Sequence, residues 1–107
     1  MGIESGYIIV FVTASSAEEA GKLSKALIDH KLAACVNTAP VASVFTWQGK
    51  TEKAEEILMI IKTRADLFEK LETLVKKEHS YDVPEIIAIP IFAGSKDYLD
   101  WIDESTK

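Results

Sequence analysis

Apolar residues along the chain form short runs that alternate with amphipathic segments. The first run, YIIVFV at residues 7–12, is continuous, aromatic and β-branched, which is typical of a strand buried on both faces. A capping box at residues 16–19 then predicts the start of a helix that runs to about His30. The small and apolar residues 32–37 predict a strand that returns to the same sheet. This stretch therefore has the pattern of a βαβ unit.

The second half of the chain repeats this order of elements. Residues 57–63 form another apolar strand, and a helix with an apolar stripe follows it and ends near His79. Pro84 forces the preceding residue out of helical geometry. Residues 85–89 then predict a last strand, which Pro90 either ends or confines to an edge of the sheet.

Two βαβ units in tandem predict an α/β (α+β) fold of the ferredoxin-like βαββαβ type. In this fold, two helices cover one face of a four-stranded antiparallel sheet. Residues 96–102 have the apolar spacing of a short C-terminal helix, which we expect at a sheet edge or at a boundary between subunits. A chain of 107 residues leaves room for one domain, which we assign to residues 1–107.

The connection between the two units is longer than a hairpin needs. Residues 38–56 lie between the apolar strand segments, and Val41 and residues 44–47 are strand formers. Residues 48–50 supply a turn, so we expect both strands to extend into a long β2-β3 hairpin arm in which Pro40 marks a bend. Such an arm exposes an apolar ribbon, which indicates an oligomeric protein.

Composition and charge restrict the classes of function. The chain has 17 acidic and 12 basic side chains and a net charge of −5, which repels nucleic acids and anionic membranes. Its single cysteine permits no internal disulfide, and the segment MGIESGYIIVF lacks the basic region and cleavage site of a signal peptide. We therefore expect a cytoplasmic protein that has neither a nucleic acid nor a membrane as partner.

Common motifs of catalytic and nucleotide-binding sites are missing from the sequence. Residues 49–51 resemble the end of a phosphate-binding loop, but the leading glycine of that motif is replaced by Val44. The sequence has no HExxH, GxSxG or CxxC motif, and no nucleophile is paired with a base. We therefore predict that the protein is not an enzyme.

One predicted turn gathers polar and titratable groups. His79 follows the second helix and is close in sequence to Tyr81, Asp82 and Glu85. A histidine at this place either bonds the free carbonyl groups of the helix end or takes part in a metal or ligand site. His30 ends the first helix without such neighbours, and we interpret it as a cap.

Three further side chains have two interpretations each. Cys35 is either a small hydrophobic residue or a thiolate in a cleft between subunits. Trp47 either packs in an interface or lines a pocket. Lys62, near the end of an apolar strand, either pairs with Glu55 or Glu56 or binds an anion. The sequence does not decide between these roles.

Several segments together resemble those of the CutA divalent-cation-tolerance proteins over nearly the whole chain. They are residues 10–13, 32–37, 45–50, 56–63, 79–85 and 98–101. The resemblance implies a homotrimer of ferredoxin-like subunits, similar to the PII signalling proteins, with a role in tolerance of divalent metals and binding of copper. It brings no established catalytic reaction.

The copper ligands that the resemblance implies are incomplete here. In family members with a copper site, the ligands are similar to a cysteine near the end of the first strand and paired histidines before a Tyr-x-x-Pro segment. In this chain, the matching positions are occupied by Val12, Glu78 and His79. The resemblance therefore implies a weaker site for Cu(II) or another divalent cation, with Glu78, His79 or groups between subunits as ligands. The alternative is a PII-like signalling module that binds a small anionic metabolite in clefts between subunits. The residues that we assign to such a cleft are Cys35, Trp47, Glu56, Lys62, Tyr81 and Glu85.

Overall fold

The strands and helices follow one another in the predicted order. The computed structural model describes residues 6–107. Residues 1–5, which are part of the segment predicted not to be a signal peptide, lie outside the described residues. None of the helices within residues 6–107 is long and apolar enough to cross a membrane. The elements are β1 (Tyr7–Ala14), α1 (Ala17–Asp29), β2 (Cys35–Trp47), β3 (Lys50–Arg64), a 3₁₀ turn (Ala65–Leu67), α2 (Phe68–Glu78), β4 (Ile86–Pro90) and α3 (Lys96–Ser105).

The four strands form one sheet in the order β2-β3-β1-β4, and all neighbouring strands are antiparallel. At its centre, Val10 of β1 lies opposite Ile61 of β3 and Ala88 of β4. This strand order confirms the ferredoxin-like α/β fold. β4 is an edge strand that ends at Pro90, as predicted, because a residue without an N–H group is tolerated there.

One face of the sheet packs against α1 and α2. Alternate residues of β1 and β3 are buried on this face, because successive side chains of a strand point to opposite sides. α1 contributes Leu23 and Leu27, and α2 contributes Leu71 and Val75; none of the four is more than 2% exposed. Each such side chain stabilises the fold by roughly 1.5–3 kcal/mol when it is fully buried.

Two details of the predicted second strand are wrong. β2 begins at Cys35 and not at Leu32, because the buried residues 32–34 form a bend in which Leu32 O accepts a hydrogen bond from Thr63 Oγ1 at 2.8 Å. Pro40 does not bend the chain, since it pairs with Ile57 inside a continuous strand. β2 is the other edge of the sheet, where a proline is tolerated.

β2 and β3 continue beyond the rest of the sheet as the predicted arm. β1 pairs with β3 only as far as Ala14 opposite Ile57. In the part of the chain that the structure describes, residues 41–47 of β2 and residues 50–56 of β3 therefore have only each other as strand neighbours. The arm leaves large apolar side chains 42% to 65% exposed, namely Val44, Phe45 and Trp47.

The second face of the sheet, opposite α1 and α2, is here called the open face. α3 covers one end of it: the Tyr7 hydroxyl donates to Asp103 Oδ2 at 2.6 Å, and Ile102 is fully buried. The C-terminal helix therefore packs on a sheet face and extends to Ser105, beyond the predicted end at Ile102.

The remainder of the open face is apolar. Phe11 of β1 lies between Ile60 of β3 and Ile87 of β4 in the strand register. Ile87 is 54% exposed and Ile89 is 46% exposed. Together with the arm, this surface is an extended apolar area that no other part of residues 6–107 covers.

Candidate functional site

The turn after α2 is held in place by the imidazole of His79, whose side chain is completely buried (0% exposed). Its Nε2 lies 2.8 Å from the carbonyl oxygen of Thr13 in β1, and its Nδ1 lies 3.0 Å from the backbone nitrogen of Tyr81. The Tyr81 N–H donates to Nδ1, so the neutral ring carries its proton on Nε2 and donates it to Thr13. Backbone groups therefore engage both ring nitrogens.

Glu19 closes the same turn from the side of α1. Its Oε1 accepts from the backbone N–H and the hydroxyl of Ser15, both at 2.8 Å, and its Oε2 accepts from the N–H of Ser80 at 2.7 Å. Burial raises the pKa of this carboxyl, but the hydrogen bonds to its charged form together outweigh burial and lower the pKa from 4.5 to about 2. Glu19 is therefore an ionised structural group.

Tyr81 connects this turn to the root of the arm. Its hydroxyl donates to Glu56 Oε2 at 2.7 Å, and its ring centroid lies 4.7 Å from that of His79. Burial, and then the hydrogen bond to Glu56, raise the pKa of Tyr81 to about 12. The structure thus brings together three of the predicted site residues, which are His79, Tyr81 and Glu56.

The groups at this turn do not fit a chelating metal site within one chain. Among residues 6–107, no group of three or more His, Cys, Asp or Glu side chains is placed to hold a metal ion. A metal on His79 would have to displace one of its backbone partners, and Val12 is fully buried on the helix-covered face. Glu78 is exposed and lines a shallow groove beside α1. Glu78 and His79 as metal ligands therefore stay a prediction.

Cys35 and Lys62 meet on the open face, at the end that α3 covers. They lie directly opposite each other in the register of β2 and β3. The Lys62 ammonium donates to Asn37 Oδ1, and the Cys35 thiol lies 3.8 Å from the same oxygen. Tyr98 of α3 reaches this group: burial, and then the charge and hydrogen bonding of Cys35, raise the pKa of Tyr98.

The predicted pairing of Lys62 with Glu55 or Glu56 is wrong. All three residues lie on β3, where six positions separate Glu56 from Lys62 by roughly 20 Å. Lys62 instead contacts the neutral amide of Asn37, and Glu56 accepts from Tyr81. The second predicted role of Lys62, binding of an anion, stays a prediction.

The remaining predicted residues lie apart from these two clusters. Trp47 is at the tip of the arm, opposite Lys50, and is 57% exposed. Glu85 is exposed just before β4. His30 caps α1 as expected, with Nδ1 2.9 Å from Ala26 O.

Three residues of the clusters were not predicted as site residues, namely Glu19, Asn37 and Tyr98. Asn37 has a sequence signal, since it lies two positions after Cys35 in a strand and therefore shares its face. Glu19 was identified only through its capping box, in which Ser16 Oγ accepts from the Glu19 N–H at 3.1 Å. Its bond to Ser80 spans 61 residues, which no local pattern indicates.

Comparison with protein families and curated sequences gives consistent matches. The family model described as CutA1 divalent ion tolerance protein matches residues 8–105. The divalent-cation tolerance protein CutA of Archaeoglobus fulgidus is 50% identical over 98 residues, which cover 92% of this chain and 96% of that protein. The chloroplastic protein CutA of Arabidopsis thaliana is 48% identical over 101 residues, which cover 94% of this chain; the chain spans 56% of the length of that plant relative.

Solved structures of similar proteins have the same fold. The periplasmic divalent cation tolerance protein CutA from Archaeoglobus fulgidus superposes with a TM-score of 0.93 at 48% identity, covering 94% of this chain and 99% of that chain. The divalent cation tolerance protein from Thermus thermophilus gives 0.91 at 43% identity, covering 94% and 99%. The descriptions of relatives as periplasmic and chloroplastic contradict the cytoplasmic location that the sequence predicted.

We expect Glu19→Gln to remove a pH-dependent part of the stability. A carboxyl whose pKa falls from 4.5 to about 2 on folding stabilises the native state above the unfolded pKa, and this stabilisation is lost as the pH falls from 4.5 towards 2. Between about pH 6 and about pH 2, the wild-type protein should therefore lose up to about 3 kcal/mol more unfolding free energy than the variant. Urea unfolding at a fixed protein concentration measures this difference.

Glu18→Gln is the matched control, because it changes the neighbouring exposed carboxylate of the same helix turn. Its pH profile should follow that of the wild-type protein. Parallel profiles of the wild-type protein and Glu19→Gln would contradict the structural role of Glu19.

Proposed function

The chain belongs to the CutA1 divalent ion tolerance family, and from this we propose that it is a non-enzymatic, homotrimeric protein of divalent-cation tolerance that binds Cu(II) or a similar divalent cation. The observation that carries the proposal is the family match over residues 8–105. Relatives from Archaeoglobus fulgidus and Thermus thermophilus are named for divalent-cation tolerance, and neither name refers to a reaction. We propose that residues 1–107 form one domain.

Uncovered apolar surface supports assembly of the chain with further copies of itself. Val44 and Trp47 on the arm are 65% and 57% exposed, and Ile87 on the open face is 54% exposed. Apolar patches of this kind on a small protein mark interfaces. The family resemblance implies three subunits around a threefold axis, as in PII proteins. In such a closed ring, each subunit covers an interface patch of its neighbour.

The cation site of the proposal draws ligands from more than one subunit. One chain does not bring three suitable side chains together within residues 6–107, and the two nitrogens of His79 are engaged. Glu78, which is exposed, is a ligand that this chain offers without loss of a hydrogen bond. Carboxylate and imidazole ligands suit Cu(II) or Zn(II) better than Cu(I).

We expect native mass spectrometry to detect a trimer at micromolar concentration and a weaker assembly after Trp47→Ala. An aromatic side chain buried in an interface contributes roughly 2 kcal/mol or more, so the variant should dissociate at higher protein concentrations than the wild-type protein. Size-exclusion chromatography with light scattering on a dilution series measures the shift.

Thr46→Ala is the control, since Thr46 is the exposed neighbour of Trp47 on the opposite face of the arm. It should leave the dissociation curve unchanged. A monomeric wild-type protein at micromolar concentration would remove the trimer from the proposal.

We expect Glu78→Gln to weaken Cu(II) binding at least about tenfold, a loss of about 1.4 kcal/mol, because a ligand carboxylate becomes a neutral amide. His79→Ala should weaken it by a similar factor only if the imidazole leaves its backbone partners on binding. Isothermal titration calorimetry with Cu(II) measures both affinities, and thermal unfolding separates lost binding from lost stability.

Each variant has a control of its own residue type. Glu69→Gln changes an exposed carboxylate in the first turn of α2, and His30→Ala changes the capping histidine of α1. His30 lies at the other end of α1 from the turn of His79. Glu19, which binds this turn, is eleven positions before His30, or about 16 Å along the helix axis. Equal Cu(II) affinity in all four variants and in the wild-type protein would exclude a cation site at this turn.

A further inference from the structure

The ammonium of Lys62 has no carboxylate partner in the described part of the chain. The ion pairs formed by residues 6–107 do not include Lys62. The lysines that do form ion pairs have side chains 61% to 86% exposed, whereas Lys62 lies half-buried on β3. An ammonium whose residue is held on a sheet face is stabilised by a counter-charge, and no carboxylate within residues 6–107 supplies one.

Neutral hydrogen-bonding groups surround this ammonium. Asn37 Oδ1 accepts from it, which leaves further N–H donors of the ammonium available. Cys35 lies directly opposite Lys62, and Tyr98 of α3 interacts with Cys35 through its phenol. An ammonium and an amide are thus joined on the open face beside α3, and the phenol of Tyr98 lies next to the Cys35 thiol.

The next cation on the open face is already balanced by acidic groups. Arg64 Nε lies 3.3 Å from Asp66 Oδ1. The Tyr7 hydroxyl donates to Asp103 Oδ2 at 2.6 Å, which places another carboxylate at this end of the sheet. The unbalanced positive charge is therefore that of Lys62.

We propose that Lys62, Asn37 and Tyr98 form a binding site for a small monocarboxylate. One carboxylate oxygen accepts from the Lys62 ammonium, and the other accepts from the phenol of Tyr98 or the amide of Asn37. A single negative charge neutralises the single ammonium, whereas a phosphate dianion would leave a second negative charge at the site without a counter-charge. The anionic ligand predicted from the sequence is thereby assigned to the class of monocarboxylates. This site does not depend on cation binding by the chain.

The thiol next to the site allows occupancy to be measured directly. Cys35 is the only cysteine of the chain, so its rate of alkylation by iodoacetamide reports on the site. At constant ionic strength, acetate should slow alkylation of the wild-type protein in a saturable way, while chloride should not. Lys62→Met should raise the acetate Kd at least about tenfold, because it removes a charge-assisted hydrogen bond. Lys53→Met, which removes an exposed lysine of the arm, should leave the Kd unchanged.

Tyr98→Phe keeps the test decisive if Lys62→Met does not fold. It removes one hydroxyl and should raise the acetate Kd about threefold. Absence of saturable protection by acetate would overturn the proposal, as would the same Kd in Lys62→Met and the wild-type protein. Tighter binding of inorganic phosphate than of acetate would also overturn it, since the site would then recognise a dianion.

Discussion

The difference in length between β1 and β3 determines the form of this molecule. β3 has 15 residues and β1 has 8, so only residues 57–62 of β3 have a strand on both sides within the described residues. Residues 50–56 pair with β2 alone and leave the sheet as an arm. Both α1 and α2 pack on one face of the sheet, and α3 covers only one end of the other. The exposed apolar surface of the arm and the open face is therefore a consequence of strand length, and it favours burial against further copies of the chain.

Where β1 ends, side chains take over the contacts that a longer strand would make. His79 donates to Thr13 near the end of β1, Glu19 accepts from Ser80, and Tyr81 donates to Glu56 at the root of the arm. Together with the bond from the Tyr81 N–H to Nδ1 of His79, these bonds fix the turn between α2 and β4 and engage both nitrogens of the histidine. The cation site proposed above therefore relies on exposed carboxylates and on ligands from other subunits, because each bond that a metal displaces leaves a buried polar group without a partner.

The fold could be predicted from the sequence because its signals are local. Apolar runs, a capping box and the spacing of apolar residues give the order of the elements, and the strand formers between residues 38 and 56 give the arm. The site could be predicted only where its members are close in sequence, as His79 and Tyr81 are. Glu19 and Tyr98 join their clusters across long sequence separations, and the partner of Lys62 depends on strand register, which no single-strand pattern specifies. Pro40 was misjudged because its effect depends on whether its strand lies at the edge of the sheet.

Amide hydrogen exchange along the outer edge of β2 tests most directly the claim that further copies of the chain cover the arm. Within one chain, the amides of residues 41–47 that point away from β3 have no strand neighbour, because β2 is an edge strand. Assembly through this surface predicts that these amides are protected at high protein concentration and lose their protection on dilution. Exchange at the unprotected rate at every concentration, with the core of the sheet still protected, would contradict the claim.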